Sequence, residues 1–143
     1  MSIVVGVRDT RVGRLAVGRA VDEARLRGGP LVLVAGVEFP RSEEGAVRYE
    51  QQRRELIELL ETHAAGLSHE EFEVMVRVPR APTSAADTVL QVAEEVDATL
   101  IVVGLRRRSA VGKAFLGSTA QDIILGAQCP VLGVKLPRSV EVG

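Results

Sequence analysis

The sequence predicts one α/β domain of three layers, a doubly wound, five-stranded parallel sheet in the order 3-2-1-4-5 with helices on both faces. Three observations predict it. Five short apolar runs alternate with four segments of helical periodicity along the 143 residues. The intervening connections are of crossover length, which joins parallel neighbours in a sheet covered on both sides. Two runs, Ile3-Val4-Val5-Gly6-Val7 and Leu100-Ile101-Val102-Val103, are apolar at every position, as strands buried on both faces must be. A chain of this length buries roughly 70% of its unfolded surface as a single domain. No internal repeat or low-complexity tract divides residues 1–143.

The first strand covers residues 3–7, and residues 8–13 read as a polar loop. From 14 to 27, Leu15, Val17, Ala20, Val21, Ala24 and Leu26 recur at helical spacing. Gly28 and Gly29 supply a left-handed stop, and Pro30 lacks the N–H to continue. Residues 31–37 are a second apolar strand, followed by a charged connection over 38–45. A longer helix runs from about Ala46 to Ala65 on a stripe of Val47, Leu56, Leu59, Leu60 and Ala64, with a charged opposite face and Gly66 at its end. Residues 72–78 alternate, the pattern of an edge strand. Thr83 or Ser84 caps a helix reaching about Glu95, with Asp87 at capping-box spacing from Ser84. After the fourth strand, a helix from Ser118 to about Gly126 turns Ala120, Ile123, Ile124 and Ala127 inward. Residues 130–134 form the last strand, and 137–143 a mobile tail.

Composition narrows the function. Apolar residues at 46%, charged residues at 26% and a formal net charge of −1 are those of a soluble globular protein whose surface as a whole does not serve nucleic acid. Cationic function must be local, and Arg106-Arg107-Arg108 is the densest basic cluster. One Tyr, three Phe and no Trp leave that cluster without the stacking partners of a nucleic-acid surface. A lone Cys129 cannot form an internal disulfide. Neither a secretory signal nor an apolar run near the ~20 residues of a membrane span is visible. The expected location is the cytoplasm.

Chemistry concentrates in one stretch. The fourth strand ends at Gly104, a basic loop carries Arg106, Arg107, Arg108 and Lys113, and Gly117-Ser118-Thr119 opens the last helix. A helix N-terminus offers free N–H groups and the positive end of the dipole to an anion. In the order 3-2-1-4-5 the first and fourth strands are neighbours, and the reversal between them is where doubly wound sheets take ligands. Loops 8–13 and 104–117 then face one crevice.

On these residues the chain resembles the universal stress protein family over nearly its whole length. The resemblance rests on Ile3-Val4-Val5-Gly6-Val7, on Val92-Ala93-Glu94-Glu95 through Gly104, and on Leu116-Gly117-Ser118 through Cys129-Pro130-Val131. ATP-binding members carry Gly, two residues, Gly, nine residues, then Gly followed by Ser, Thr or Asn. Here Gly104-Leu105-Arg106-Arg107, nine residues and Gly117-Ser118 match except that Arg107 replaces the second glycine. The resemblance implies a Rossmann-like fold of the adenine nucleotide alpha hydrolase-like class. It implies ATP or another adenine nucleotide as cofactor, with or without Mg²⁺, and a stress-response sensor or regulator with slow ATP hydrolysis at most, not a dedicated enzyme. Adenine would lie at the end of the first strand (Gly6, Val7, Arg8, Asp9) and against Val37. Ribose would lie near Val103 and Gly104, and phosphates on Gly117, Ser118 and Thr119 beside Arg106 and Arg107. Relatives that bind ATP usually have Asp where this chain has Arg8. Arginine has five donors and no acceptor, so Asp9 would have to take over base or ribose recognition. Arg107 would either clamp a phosphate bidentately or occlude the site.

Other chemistries lack their patterns. Ala114 follows Gly112-Lys113 where a phosphate loop needs Ser or Thr for Mg²⁺. His63 and His69 have no cysteine or carboxylate cluster at ligand spacing, so no metal site is expected. Ser109 and Thr119 have no evident general base. The last strand is apolar and would lie at a sheet edge, which invites pairing. A two-fold homodimer through Val131, Leu132 and Val134 is expected, as is common in the family. The rival expectation is a nucleotide-free dimeric interaction module, its crevice closed by Arg8 and Arg107 and its basic loop docked on an acidic partner.

Overall fold

The computed structural model describes residues 1–36, 43–81, 83–106 and 116–137. The elements are β1 (Ser2–Gly6), α1 (Arg11–Arg27), β2 (Leu31–Val34), α2 (Glu43–Gly66), β3 (Val74–Arg77), α3 (Ala85–Glu95), β4 (Ala98–Gly104), α4 (Ser118–Gly126) and β5 (Val131–Val134). All strand pairs are parallel, in the expected order β3-β2-β1-β4-β5.

Successive side chains of a strand point to opposite faces, and this sorts the core into two halves. Ile3, Val5, Leu31, Leu33, Leu100 and Val102 pack with Ala16, Ala20, Val21 and Ala24 of α1 and Leu60 of α2. Val4, Val32, Val34 and Ile101 pack on the other side with Ala86, Val89 and Val92 of α3 and Ile123 of α4. The central strands are therefore apolar at both parities, and Val4, Val5, Ile101 and Val102 are wholly buried. Burial of each such side chain contributes about 1.5–3 kcal/mol.

Several element boundaries and faces differ from the expected ones. Helix α1 starts at Arg11, inside the expected loop, because the Thr10 hydroxyl oxygen accepts from the Gly13 N–H at 2.9 Å and caps it. Its buried face is Val12, Gly13, Ala16, Ala20, Val21 and Ala24. Leu15 and Leu26 are exposed, lying roughly 120–140° around the helix from Ala20 at 3.6 residues per turn. The Gly28 cap stands as expected, left-handed with φ 86° and its N–H bonded to Ala24 O at 2.8 Å. Helix α2 starts at Glu43, and its inner side includes Leu56, Leu60 and Ala64, while Leu59 is exposed. Tyr49, outside the expected stripe, is buried and donates its hydroxyl to the Pro79 carbonyl. On α4, Ala120 and Ile123 are buried but Ile124 is exposed. Strands β2, β3 and β5 are shorter than the apolar runs that contain them, and β4 is longer. Val37, the Val47 side chain, Arg107, Arg108, Ser109, Gly112, Lys113 and residues 138–143 lie outside the described residues. No described helix is long and apolar enough to cross a membrane.

Candidate functional site

Because the strands are parallel, their carboxyl ends share one side of the sheet, and the helices that follow them begin there. A cavity of about 230 Å³ lies at that side, lined by the ends of β1, β2 and β4 and by the first turns of α1, α3 and α4. Gly6, Val7 and Arg8 line it at and just past the end of β1, Val103, Gly104 and Arg106 at and just past the end of β4, and Gly117, Ser118 and Thr119 at the start of α4. Nine of the twelve candidate residues are thus brought to one place. Asp9 is not among the lining residues: its carboxylate accepts from Arg14 Nη1 at 2.9 Å. Val37 and Arg107 fall outside the described residues.

The walls are held by close packing. A β-carbon at Gly104 would stand 3.2 Å from both Val12 Cγ2 and the Val12 carbonyl oxygen, so α1 crosses directly over the end of β4. Gly36 meets Thr88 in the same manner, with 2.9 Å left to Thr88 Oγ1. Thr88 is buried and donates its hydroxyl to the Ser84 carbonyl at 2.9 Å. Thr10, Gly36 and Thr88 line the cavity without having been singled out in the sequence. Thr10 carried a legible signal, an N-cap residue three positions before Gly13. Gly36 and Thr88 carried none, because the two meet across a long stretch of chain.

Every helix start leaves unsatisfied N–H groups, and the three described starts at this cavity treat them differently. Thr10 bonds the Gly13 N–H on α1, and Ser84 bonds the Asp87 N–H on α3 at 3.0 Å. Helix α4 has Gly117 as its N-cap and no side-chain cap. Among the described residues no protein acceptor takes the N–H groups of Ser118, Thr119 or Ala120. Gly117 itself has φ −61°, and a β-carbon there would meet nothing within 4 Å, so the fold does not demand glycine. These open donors, at the positive end of a helix dipole, can hold an anion.

Electrostatics point the same way. Arg8 and Arg106 are the charged side chains among the described lining residues; both are exposed, and neither forms an ion pair with a described residue. The described lining includes no Asp, Glu, His, Lys or Cys. No group of three His, Cys, Asp or Glu side chains among the described residues is placed to hold a metal ion. Cys129 lies away from this cavity, partly buried, and burial pushes its thiol up.

At the far edge of the sheet, Val131, Leu132 and Val134 of β5 are partly buried and Gly133 is exposed. Pro130 O accepts from Ile101 of β4, and Val134 O from Leu105 just past its end. The backbone polar groups of Val131 and Gly133, of the opposite parity, therefore face the open edge.

Comparison with known proteins agrees with this architecture. A model of the Universal stress protein family matches residues 1–135. A universal stress protein of Mycolicibacterium smegmatis is 32% identical over 133 residues, which span 93% of this chain and 96% of that one. A solved universal stress protein structure from Archaeoglobus fulgidus superposes with a TM-score of 0.73 at 31% identity, covering 94% of this chain and 98% of the other. A structure of the universal stress protein from the same organism in complex with dAMP gives a TM-score of 0.70 at 28% identity, with the same coverage of 94% and 98%.

Proposed function

The chain belongs to the universal stress protein family, and on that premise we propose that it binds an adenine nucleotide, ATP included, in the cavity between β1 and β4. The observation that carries this reading is the N-terminus of α4, whose first N–H groups are taken by no described residue and which lines the same cavity as Arg8 and Arg106. A phosphate takes the place of the missing cap, and a glycine at position 117 lets it approach the backbone closely. The Ser118 hydroxyl donates to a phosphate oxygen. Ribose lies against Val103 and Gly104, and the base over Gly6 and Val7. The dAMP complex of the Archaeoglobus fulgidus relative supports an adenine nucleotide as the ligand class.

The protein acts in the cytoplasm as a stress-response sensor or regulator, with slow hydrolysis at most. Arginine, the ionisable type in the described lining, keeps its proton and cannot serve as a general base. A homodimer through β5 completes the reading. Titration calorimetry with ATP, ADP, AMP, dAMP and cyclic AMP tests the central claim. Binding of at least one supports it, and no heat from any of them at millimolar ligand rejects it. Rejection would favour the nucleotide-free module, whose docking on an acidic partner weakens as added salt screens the basic loop.

A further inference from the structure

We propose that a nucleoside polyphosphate enters this cavity as the metal-free anion, its charge met by guanidinium groups in place of Mg²⁺. The inference rests on the nucleotide reading above. Mg²⁺ demands a near-octahedral shell of oxygens, and proteins usually hold it through one or two carboxylates together with the substrate phosphates. The donor set at this cavity does not fit that requirement. Among the described residues its wall carries no Asp or Glu, and its charged side chains are Arg8 and Arg106. Asp9, adjacent to Arg8 in the chain, pairs with Arg14 at 2.9 Å and does not line the wall. Residues 105–117, which join β4 to α4, contain three arginines and one lysine and no acidic residue.

The side-chain oxygens of the described wall are the hydroxyls of Thr10, Thr88, Ser118 and Thr119, which are neutral. Two permanently charged side chains lining the same cavity repel a divalent cation. The same groups suit a bare phosphate. A guanidinium matches two phosphate oxygens at once, and charge-assisted hydrogen bonds of this kind are roughly twice as strong as neutral ones. Mg²⁺ chelated by the β and γ oxygens occupies those same acceptors and cancels part of the charge that the arginines and α4 attract. Metal and protein therefore compete for the phosphates.

The test is titration calorimetry of ATP into the full chain, once in EDTA and once in saturating Mg²⁺ at matched ionic strength, so that screening does not differ. Binding is expected about tenfold tighter in EDTA, the loss in Mg²⁺ corresponding to one charge-assisted contact. AMP, which holds Mg²⁺ weakly, serves as control and shows no such difference. Arg8→Gln and Arg106→Gln each weaken ATP binding in EDTA and narrow the gap. Arg106→Asp, which places a carboxylate beside the phosphate end of the cavity, reverses the order of the two buffers, with circular dichroism verifying its fold. ATP binding by the unsubstituted chain that is equal or tighter in Mg²⁺ overturns the inference and leaves the nucleotide reading standing. So does heat from AMP with none from ATP in EDTA. No heat from any nucleotide in either buffer overturns both.

Discussion

A β-carbon at Gly13 would stand 2.2 Å from the carbonyl oxygen of Arg8. The first turn of α1 therefore presses against the backbone of the loop that brings Arg8 to the cavity. Thr10 closes the same turn, its hydroxyl oxygen bonded to the Gly13 N–H and its carbonyl to the Arg14 N–H. Cap, glycine and arginine form one unit, and disturbing the packing moves the cationic wall.

Two glycines of α1 should consequently respond with opposite sign. Gly13→Ala forces backbone to shift and is expected to cost about 1–3 kcal/mol. Gly18 is exposed, with nothing within 4 Å of an added β-carbon. Gly18→Ala is expected to stabilise by about 0.5–1 kcal/mol through helix propensity alone. Urea denaturation of the two variants measures both.

Gly117 should separate stability from binding. Gly117→Asp supplies α4 with the side-chain cap it lacks and a negative charge at the dipole's positive end. The expected gain is about 0.3–1 kcal/mol in thermal or urea unfolding. The same carboxylate occupies the N–H groups assigned to phosphate and repels it, so nucleotide affinity should fall by more than about tenfold. A variant that gains stability and keeps its affinity would remove α4 from the site.

Acid stability should depend on Glu70. Arg25 Nε lies 3.0 Å from each of its carboxylate oxygens, and the Glu70 side chain is 9% exposed. Hydrogen bonds from Arg25 hold the carboxyl below its usual range, against the opposing pull of burial. A carboxylate whose folded value is depressed contributes stability above its unfolded value, and loses it as pH falls through the folded one. Glu70→Gln should therefore lower the melting temperature near neutral pH and flatten its decline in acid. An unchanged acid limb in a pH series of thermal melts would assign the decline to other carboxylates.

The open edge of β5 should seat a second copy of the chain. Light scattering at micromolar concentration is expected to give a dimer. Gly133→Lys puts a charge on the free edge, against a flexible Leu105 side-chain end 2.6 Å from the new β-carbon. It is expected to shift the population to monomer. A monomer in the unsubstituted protein would reject the homodimer.

Much of this was legible in the sequence because it follows from backbone periodicity and from residues that punctuate it. Uniformly apolar runs marked β1, β2 and β4, the alternation at 72–78 marked the edge strand β3, and Gly28 marked the end of α1. Those patterns led to the sheet order, and the order brought Gly6, Val7, Gly104, Gly117 and Ser118 to one cavity. The tertiary structure alone decided three things. It added Ala16 to the expected Ala20 and Ala24 on the inner face of α1 and left Leu15 and Leu26 outside, since close approach to the sheet selects small side chains over large ones. It directed Asp9 to Arg14 and away from the cavity, leaving guanidiniums as the charged groups of the described wall. And it set Gly36 against Thr88 and Gly104 against Val12. Periodicity is shared by neighbours along a chain, whereas the sign and shape of a cavity are settled by residues that meet only after the strands have paired.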